Sequence, residues 1–180
     1  MIPARLMRLC KDTTGLAALE FALVLPLMIT AMLGTVEVWN LVTSYSKAVS
    51  ASQTVADLTS QSATLTTAQM NAIVVAAQRV LDPMVSDTTS LGVSVVSIGF
   101  DAANKPIQLW KFGWGTAAAA TPVISGATGL GVTGESVIQV TLSYTCIPLI
   151  HDIVPQVTFT EASYSRPRLV KKVALNGVTG

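Results

Sequence analysis

Residues 15–28 read GLAALEFALVLPLM, a stretch that places the carboxylate of Glu20 at the edge of an otherwise apolar segment. No charged residue follows before Glu37, and the sixteen residues between the two carboxylates would span about 24 Å as a helix, at about 1.5 Å per residue. Because the segment is apolar on all faces, it favours a single membrane-spanning helix over residues 16–42 rather than a buried helix of a globular core. An ionisable group in such a helix is costly and usually marks a function.

The flanking charges predict the orientation of this helix. Arg5, Arg8 and Lys11 precede it, whereas the forty residues after it contain only Lys47 and Arg79 as basic residues. The positive-inside rule then places the N-terminus in the cytoplasm and the chain beyond residue 42 outside it. We therefore expect a single-pass protein of the cytoplasmic (inner) membrane, in contact with membrane lipid. The net charge of only +1 favours no nucleic-acid partner.

Two further helical segments are predicted after the apolar run. Residues 43–65 are rich in Ser, Thr and Ala, and they predict a helical stalk that continues the membrane helix. The next helix, over residues 66–82, starts at a capping-box pattern formed by Thr66 and Gln69 and ends at Pro83. Its apolar face consists of residues at helical spacing, namely Met70, Ile73, Val74, Ala77, Val80 and Leu81.

The remainder of the chain has the period of two that is typical of strands. Four such segments occur, at residues 92–100, 106–112, 136–146 and 156–164. In the third, apolar and polar residues alternate, which predicts an antiparallel sheet with one wet face and with its dry face covered by the 66–82 helix.

In the first strand the apolar phase slips between Val95 and Val96, which suggests a bulge. The predicted fold class is α+β: a transmembrane helix, a stalk, and an extracytoplasmic domain over residues 66–180 in which an amphipathic helix packs on a small antiparallel sheet.

Residues that could carry catalysis or bind a metal are few. The single histidine, His151, lies beside Asp152 in a turn, which is weak support for any chemistry. The chain has two cysteines, Cys10 before the apolar run and Cys146 on the apolar side of a strand, so the predicted topology separates them by a membrane. No metal-ligand spacing, nucleophile elbow or phosphate loop is present. We therefore expect no enzyme activity, no cofactor and no metal.

The N-terminal motif also resembles a known family. A short basic leader, then Gly15, then Glu20 and Phe21 at the start of an apolar helix, resembles the processing site of type IV pilin-like proteins. The sequence GLAALEFALVLPLM resembles the corresponding segment of the TadE-like family of tight-adherence (Flp) pilus assembly proteins. Three other segments also resemble that family: VADLTSQ at 55–61, VTLSYTCIPL at 140–149 and VTFTEASYSRPR at 157–168.

The resemblance implies a minor pilin or pseudopilin that takes part in pilus assembly. A membrane-embedded prepilin peptidase would cut it on the cytoplasmic side after Gly15, so that residues 1–15 are a leader and the mature chain begins at Leu16. Glu20 and Phe21 would belong to the same processing site. Implied partners are this peptidase, other pilins or pseudopilins that pack on the N-terminal helix, and the inner-membrane assembly machinery. The subunit could become part of the extracellular pilus.

Such cleavage would explain the charge of Glu20 in physical terms. It would create an ammonium at Leu16, four residues before Glu20, so that the two charges could pair within one subunit or between staggered neighbours. A buried carboxylate is tolerated when paired, and the pair could set the register of lateral helix packing. Pro26 would loosen the helix locally by removing a backbone hydrogen bond. The alternative is a Glu20 side chain that only reaches the cytoplasmic interface.

A second function is compatible with the sequence. The chain could be a permanently membrane-anchored binding or adhesion module, whose sheet and 113–134 loop recognise a surface ligand. An exposed Trp110 or Trp114 would then serve recognition. Only the pilin hypothesis requires Leu16 as the first residue of the mature protein.

Overall fold

The structure is a computed structural model that describes residues 15–118, 121–150 and 154–180. Two α-helices and a four-stranded antiparallel sheet form most of it, which confirms the predicted α+β class. The elements are α1 (Leu16–Ser60), β1 (Thr64–Leu65), α2 (Thr67–Leu81), β2 (Leu91–Phe100), β3 (Pro106–Gly115), a 3-10 turn (Ser125–Ala127), β4 (Ser136–Cys146), β5 (Val157–Ser165) and β6 (Ala174–Leu175).

By its internal contacts the chain separates into two units, one up to Asn40 and one over Leu41–Gly180. In the first unit, residues 16–36 are all exposed. The second unit contains the sheet, α2 and the part of α1 from Leu41 onward. The predicted division into leader, membrane helix, stalk and outer domain stays a prediction.

The main sheet has the strand order β3-β2-β4-β5, with every neighbouring pair antiparallel. Its register places Val95 opposite Val140, and Leu142 opposite Glu161. The strands match the four predicted segments to within a residue at most ends, although β3 continues through Gly115. The central strands β2 and β4 carry the strongest runs of β-branched and apolar residues, as their central position requires.

The helix α2 covers one face of this sheet, as predicted. The Thr66 side chain accepts a hydrogen bond from Gln69 N, and the Gln69 side chain accepts one from Thr66 N, which completes the capping box. Four residues of the predicted apolar face are fully buried, and Ile73 and Val80 are half-buried against the same core. The fully buried residues are Met70, Val74, Ala77 and Leu81.

The second part of α1 packs into the same core. Its buried face is made of small residues, mainly Ala48, Ala51, Val55 and Ala56. Beside this face, the Tyr45 and Phe159 rings meet edge-on, with centroids 5.5 Å apart. Residues 43–60, which the sequence predicts as a helical stalk, are helical, and in this unit they pack against the sheet.

The prediction of one wet sheet face was wrong at the centre of the sheet. Every residue of β2 is buried, and Gln139 of β4 is 4% exposed. The segment after β3 lies on this second face: Gln139 Nε2 donates a hydrogen bond to Val123 O at 3.0 Å, and Ala127 packs with Val96 and Ile98. Residues 123–127, which belong to the predicted 113–134 loop, therefore cover part of this second face.

The predicted bulge between Val95 and Val96 was also misplaced. The pairing of β2 with β4 is regular through both residues, whereas the pairing with β3 shifts between Ser97 and Ile98. Because Ser97 pairs with Trp110 and Ile98 with Gln108, the extra residue is Leu109 of β3. Val95 and Val96 are both apolar because β2 is buried on both faces.

Trp110 is not an exposed recognition residue. It is 6% exposed, and its indole Nε1 donates a hydrogen bond to Val173 O at 2.7 Å. Trp114 is half-buried against the same core. The binding-module hypothesis thus loses Trp110 from its proposed surface.

The C-terminal segment returns along the second unit. Strand β6 pairs in parallel with β1, and Arg168 N donates to Ser60 O at 2.9 Å. The Arg168 guanidinium also forms an ion pair with Asp57. Residues near the C-terminus are therefore attached to the end of α1 and to β1 by these contacts.

Candidate processing and assembly site

The predicted cleavage position coincides with the start of α1. Leu16 is the first helical residue, and Gly15 O accepts the first helical hydrogen bond from Leu19 N at 3.1 Å. A Cβ built on Gly15 would meet no described heavy atom within 4 Å, and no left-handed backbone demands glycine there. Among the described residues, neither packing nor backbone conformation therefore requires a glycine at position 15.

The helix brings Leu16 and Glu20 together. They lie one turn apart on the same face, about 6 Å along the axis at about 1.5 Å per residue. Both residues are exposed, and so is Phe21, whose side chain is 60% exposed. The helix geometry thus allows the pairing that the motif predicts.

Pro26 lies further along α1 and does not interrupt it. Its missing N–H leaves the Ala22 carbonyl without its helical donor, because proline cannot donate that bond. One turn later, Thr30 Oγ1 donates to Pro26 O at 2.8 Å, and Thr35 Oγ1 donates likewise to Ala31 O at 2.8 Å. These internal bonds satisfy both hydroxyls, as a hydrocarbon environment requires.

Thr30 and Thr35 were missed from the sequence as residues with a role in this helix. Their position in a predicted helix could have indicated these bonds, because the hydroxyl of a helical threonine can donate a hydrogen bond to the carbonyl four residues before it.

The N-terminal part of α1 presents a continuous apolar surface. The side chains of Leu23, Leu27 and Trp39 are each more than 70% exposed. The helix is long and apolar enough to cross a membrane, and none of its most apolar window is buried. An apolar surface of this extent indicates a membrane or protein interaction.

Residues with other chemistry do not gather around this helix or elsewhere in the described ranges. No group of three or more His, Cys, Asp or Glu side chains able to hold a metal occurs among residues 15–118, 121–150 and 154–180. His151, Asp152 and Cys10 lie outside those ranges. Cys146 is buried, with its Sγ 3.2 Å from Ser44 Oγ. The expectations of no metal and no cofactor stay predictions.

Comparison with known proteins bears on this helix directly. A family model described as "TadE-like protein" matches residues 15–57. The match starts at Gly15 and contains the predicted site residues Leu16, Glu20, Phe21 and Pro26. Neither the curated proteins nor the solved structures gave a significant match. The C-terminal segments that resemble the family lie outside the matched range.

The match confirms the resemblance to the TadE-like family. That family indicates a structural, pilin-like protein associated with tight-adherence pili, and the apolar helix is its candidate single-pass membrane anchor. Residues 15–57, with the start of α1 at their N-terminal end, are therefore the part of the chain that is similar to TadE-like proteins.

Proposed function

We propose that this chain is a minor pilin or pseudopilin of a tight-adherence (Flp) pilus, that a prepilin peptidase cuts it after Gly15, and that it takes part in pilus assembly. The observation that carries the proposal is the geometry at the start of α1. The glycine precedes the first helical residue, no described neighbour requires it, and Glu20 follows Leu16 by one turn. Cleavage there would leave the helix complete.

The role of Glu20 follows from the charges that cleavage would create. The new ammonium of Leu16 would lie at the positive end of the helix dipole, where it is unfavourable unless an anion is near. Glu20 is that anion, either for its own chain or for a staggered neighbour. Once such a pair is buried among helices, removal of one partner costs about 3–5 kcal/mol, which is enough to decide the register of packing.

The apolar surface of residues 16–40 supplies the assembly interface in this proposal. In the membrane it contacts lipid, and in a pilus it contacts the equivalent helices of other pilins or pseudopilins. The inner-membrane assembly machinery would transfer the subunit between the two environments. Small residues favour close helix packing, and α1 contains Ala18, Ala22 and Gly34 within its exposed part.

The topology of the proposal can be tested with a protease. Intact spheroplasts expressing the full chain should lose the region after residue 42 to protease added outside, because the basic residues before α1 place the N-terminus inside. An N-terminal tag should stay protected until the membrane is opened. A protected C-terminal region with an accessible tag would reverse the proposed orientation.

Processing is tested by Gly15→Val, with Gly34→Val as the matched control. A Cβ at either glycine meets no described atom within 4 Å, so both variants should leave the fold intact. We expect Gly15→Val to accumulate precursor that keeps the leader, and Gly34→Val to be cut normally. N-terminal sequencing of the mature parent protein should give Leu16 first. An intact leader on the parent chain would instead favour a permanently anchored binding module.

Assembly is tested separately by Glu20→Ala and Glu20→Gln. Both remove the charge, and Glu20→Gln keeps the shape and the hydrogen-bonding capacity. We expect cleavage to survive at least in part, while co-purification with other pilins falls at least tenfold, the equivalent of about 1.4 kcal/mol. Uncut chains would assign Glu20 to peptidase recognition. Cleaved chains that co-purify at the parent level would favour a Glu20 that only reaches the membrane interface.

A further inference from the structure

Another apolar surface lies in the second unit, at the residues with which that unit begins. A groove of about 250 Å³ is lined by Leu41, Val42 and Tyr45 of α1 and by Val157 and Phe159 of β5. Val42 is 60% exposed and Tyr45 is 44% exposed. None of the lining side chains is charged, so the groove suits apolar groups rather than ions.

The end of β4 adds two apolar side chains beside this groove. Cys146, the last residue of β4, pairs with Val157, and its Sγ lies 3.2 Å from Ser44 Oγ of α1. Ile147 and Leu149 come directly after it and are 44% and 66% exposed. Three segments that are distant in the sequence therefore expose apolar side chains at one end of the second unit. The groove together with Ile147 and Leu149 is called the proximal surface below.

The place of the proximal surface along α1 matches the edge of a membrane. The membrane helix predicted from the sequence ends at residue 42, so Leu41 and Val42 belong to its last turn. Tyr45 comes three residues later, about 4.5 Å along the axis at about 1.5 Å per residue. Each headgroup layer of a bilayer is about 5–8 Å thick, since the whole bilayer measures about 40–45 Å and its hydrocarbon core about 30 Å. Tyr45 therefore falls within the headgroup layer of the proposed topology.

Polar groups follow the apolar ones with distance from residue 42. Strand β5 runs beside α1 in the same direction, because Phe159 meets Tyr45, and Ser52 Oγ further along donates a hydrogen bond to Ser163 Oγ at 2.8 Å. Beyond Phe159 the same strand carries Glu161, whose carboxylate accepts a hydrogen bond from the Tyr45 hydroxyl. Tyr45 thus has an apolar ring contact and a polar tip, the arrangement that is typical of aromatic residues at membrane interfaces.

We propose that the proximal surface lies in the headgroup layer of the membrane that α1 crosses, with its apolar side chains in contact with lipid. The partner is the lipid bilayer, because α1 continues without a break from its exposed apolar residues 16–36 into the groove. No cationic side chain lines the groove, so the contact needs no anionic headgroup. The inference rests on the membrane anchor of the proposed function and extends it, because it assigns a membrane contact to the outer domain as well.

Lipid contact is measured on the full chain in nanodiscs of phosphatidylcholine, prepared with and without brominated acyl chains that quench nearby fluorophores. Cys10→Ser removes one thiol, and the other, Cys146, is buried. A bimane fluorophore is then attached to the thiol of Leu149→Cys, and in separate proteins to Leu27→Cys and Leu169→Cys. All three positions are exposed in the parent, so the labels should leave the fold intact.

The two other labels serve as matched controls. Leu27 and Leu169 are each 71% exposed, but Leu27 lies within the predicted membrane helix. Leu169 follows Arg168, whose backbone N–H donates to Ser60 O. Ser60 is about 27 Å beyond residue 42 along α1, at about 1.5 Å per residue. We expect brominated lipid to remove most of the emission at positions 27 and 149 and to leave position 169 unchanged.

Each other pattern of quenching overturns the inference in its own way. A quenched label at position 27 with an unquenched one at 149 would leave the membrane anchor intact and refute the lipid contact of the proximal surface. An unquenched label at 27 would refute the anchor, and the inference with it. A label at 149 that is shielded from aqueous iodide but is not quenched by lipid would assign the surface to a protein partner.

A charge beside the label tests the contact independently. Ile147→Asp should reduce the quenching at position 149, because a carboxylate is unfavourable in contact with hydrocarbon. Ile147→Leu is the matched control and should keep the quenching of the parent. Ile147 is exposed, so both variants should fold, which tryptophan fluorescence checks. Equal quenching in the two folded variants would contradict insertion of this surface.

Discussion

The two halves of α1 place the same kinds of residue in opposite environments. Val38 is 60% exposed, whereas Val55, further along the same helix, is completely buried. In the first unit residues 16–36 are all exposed, and none of the most apolar window is buried. In the second unit a narrow face of small residues contacts a sheet of the same chain. Burial thus follows from the packing partner available, and residues 16–36 have none among the described residues.

This difference separates folding from assembly. Substitutions in the second unit should change the stability of the chain itself, because its apolar residues are packed inside the molecule. Substitutions in residues 16–36 should leave that stability unchanged and alter association with membrane or partner helices. The following predictions test this separation, starting with the largest expected effect.

Leu142→Asp should unfold the second unit. Leu142 of β4 is fully buried in the core, so the variant would place an unpaired charge there. Its free energy of unfolding should fall by more than about 4 kcal/mol. Urea unfolding of the full chain in nanodiscs, followed by tryptophan fluorescence, measures the loss. Gln108→Asp, at an exposed position of β3, is the matched control and should melt like the parent. A parent-like Leu142→Asp transition would contradict the assigned core face.

Val55→Ala and Val38→Ala make the comparison within one helix. The buried Val55 should lose about 2 kcal/mol, from the transfer of two methyl groups and the small cavity they leave. The exposed Val38 should lose almost none. The same urea experiment measures both. Equal and small effects would mean that the second part of α1 acts as a separate stalk, as the sequence suggested, and does not contribute to the core.

The small residues explain why the sequence did not predict this packing. The large apolar residues of 43–61 recur only loosely at helical intervals, so they do not define one face. The true contact face uses Ala48, Ala51 and Ala56, which bring the helix close to the sheet but add little to an apolar pattern. By contrast, α2 was predicted well because its face carries large residues and its start carries both partners of a capping box.

The pairing of strands that are distant in the sequence could not be predicted either. The parallel pair of β1 and β6 joins two-residue strands that are more than a hundred residues apart, and two residues give no periodic signal. The cover on the second sheet face has the composition of a loop, yet Gly92 and Gly126 fit it closely to the sheet. The resemblance to the TadE-like family could be predicted because its motif is local: a glycine, a carboxylate and an apolar helix within a few residues.

The smallest expected effect concerns the loop that precedes β2. Asp87 Oδ1 accepts hydrogen bonds from Thr89 and Ser90, through both backbone N–H groups and both hydroxyls, at 2.7–3.0 Å. These bonds, that of the Thr89 hydroxyl first, lower the pKa of Asp87 to about 2. Since an unfolded aspartate has a pKa of about 3.9, the ionised form contributes stability above that pH, and the contribution is lost as the pH falls toward about 2.

Asp87→Asn removes this titration but keeps an acceptor oxygen. The parent should therefore lose stability more steeply than the variant between about pH 4 and pH 2, and the two slopes should agree above about pH 5. Urea midpoints across this range measure the difference, and other carboxylates cancel because both proteins contain them. The group is exposed, so the difference should be far smaller than the effect of Leu142→Asp. Parallel plots of the urea midpoint against pH for the two proteins would show that the hydrogen bonds of Asp87 add nothing to the free energy of unfolding. The tightly packed part of the second unit would then begin only at β2.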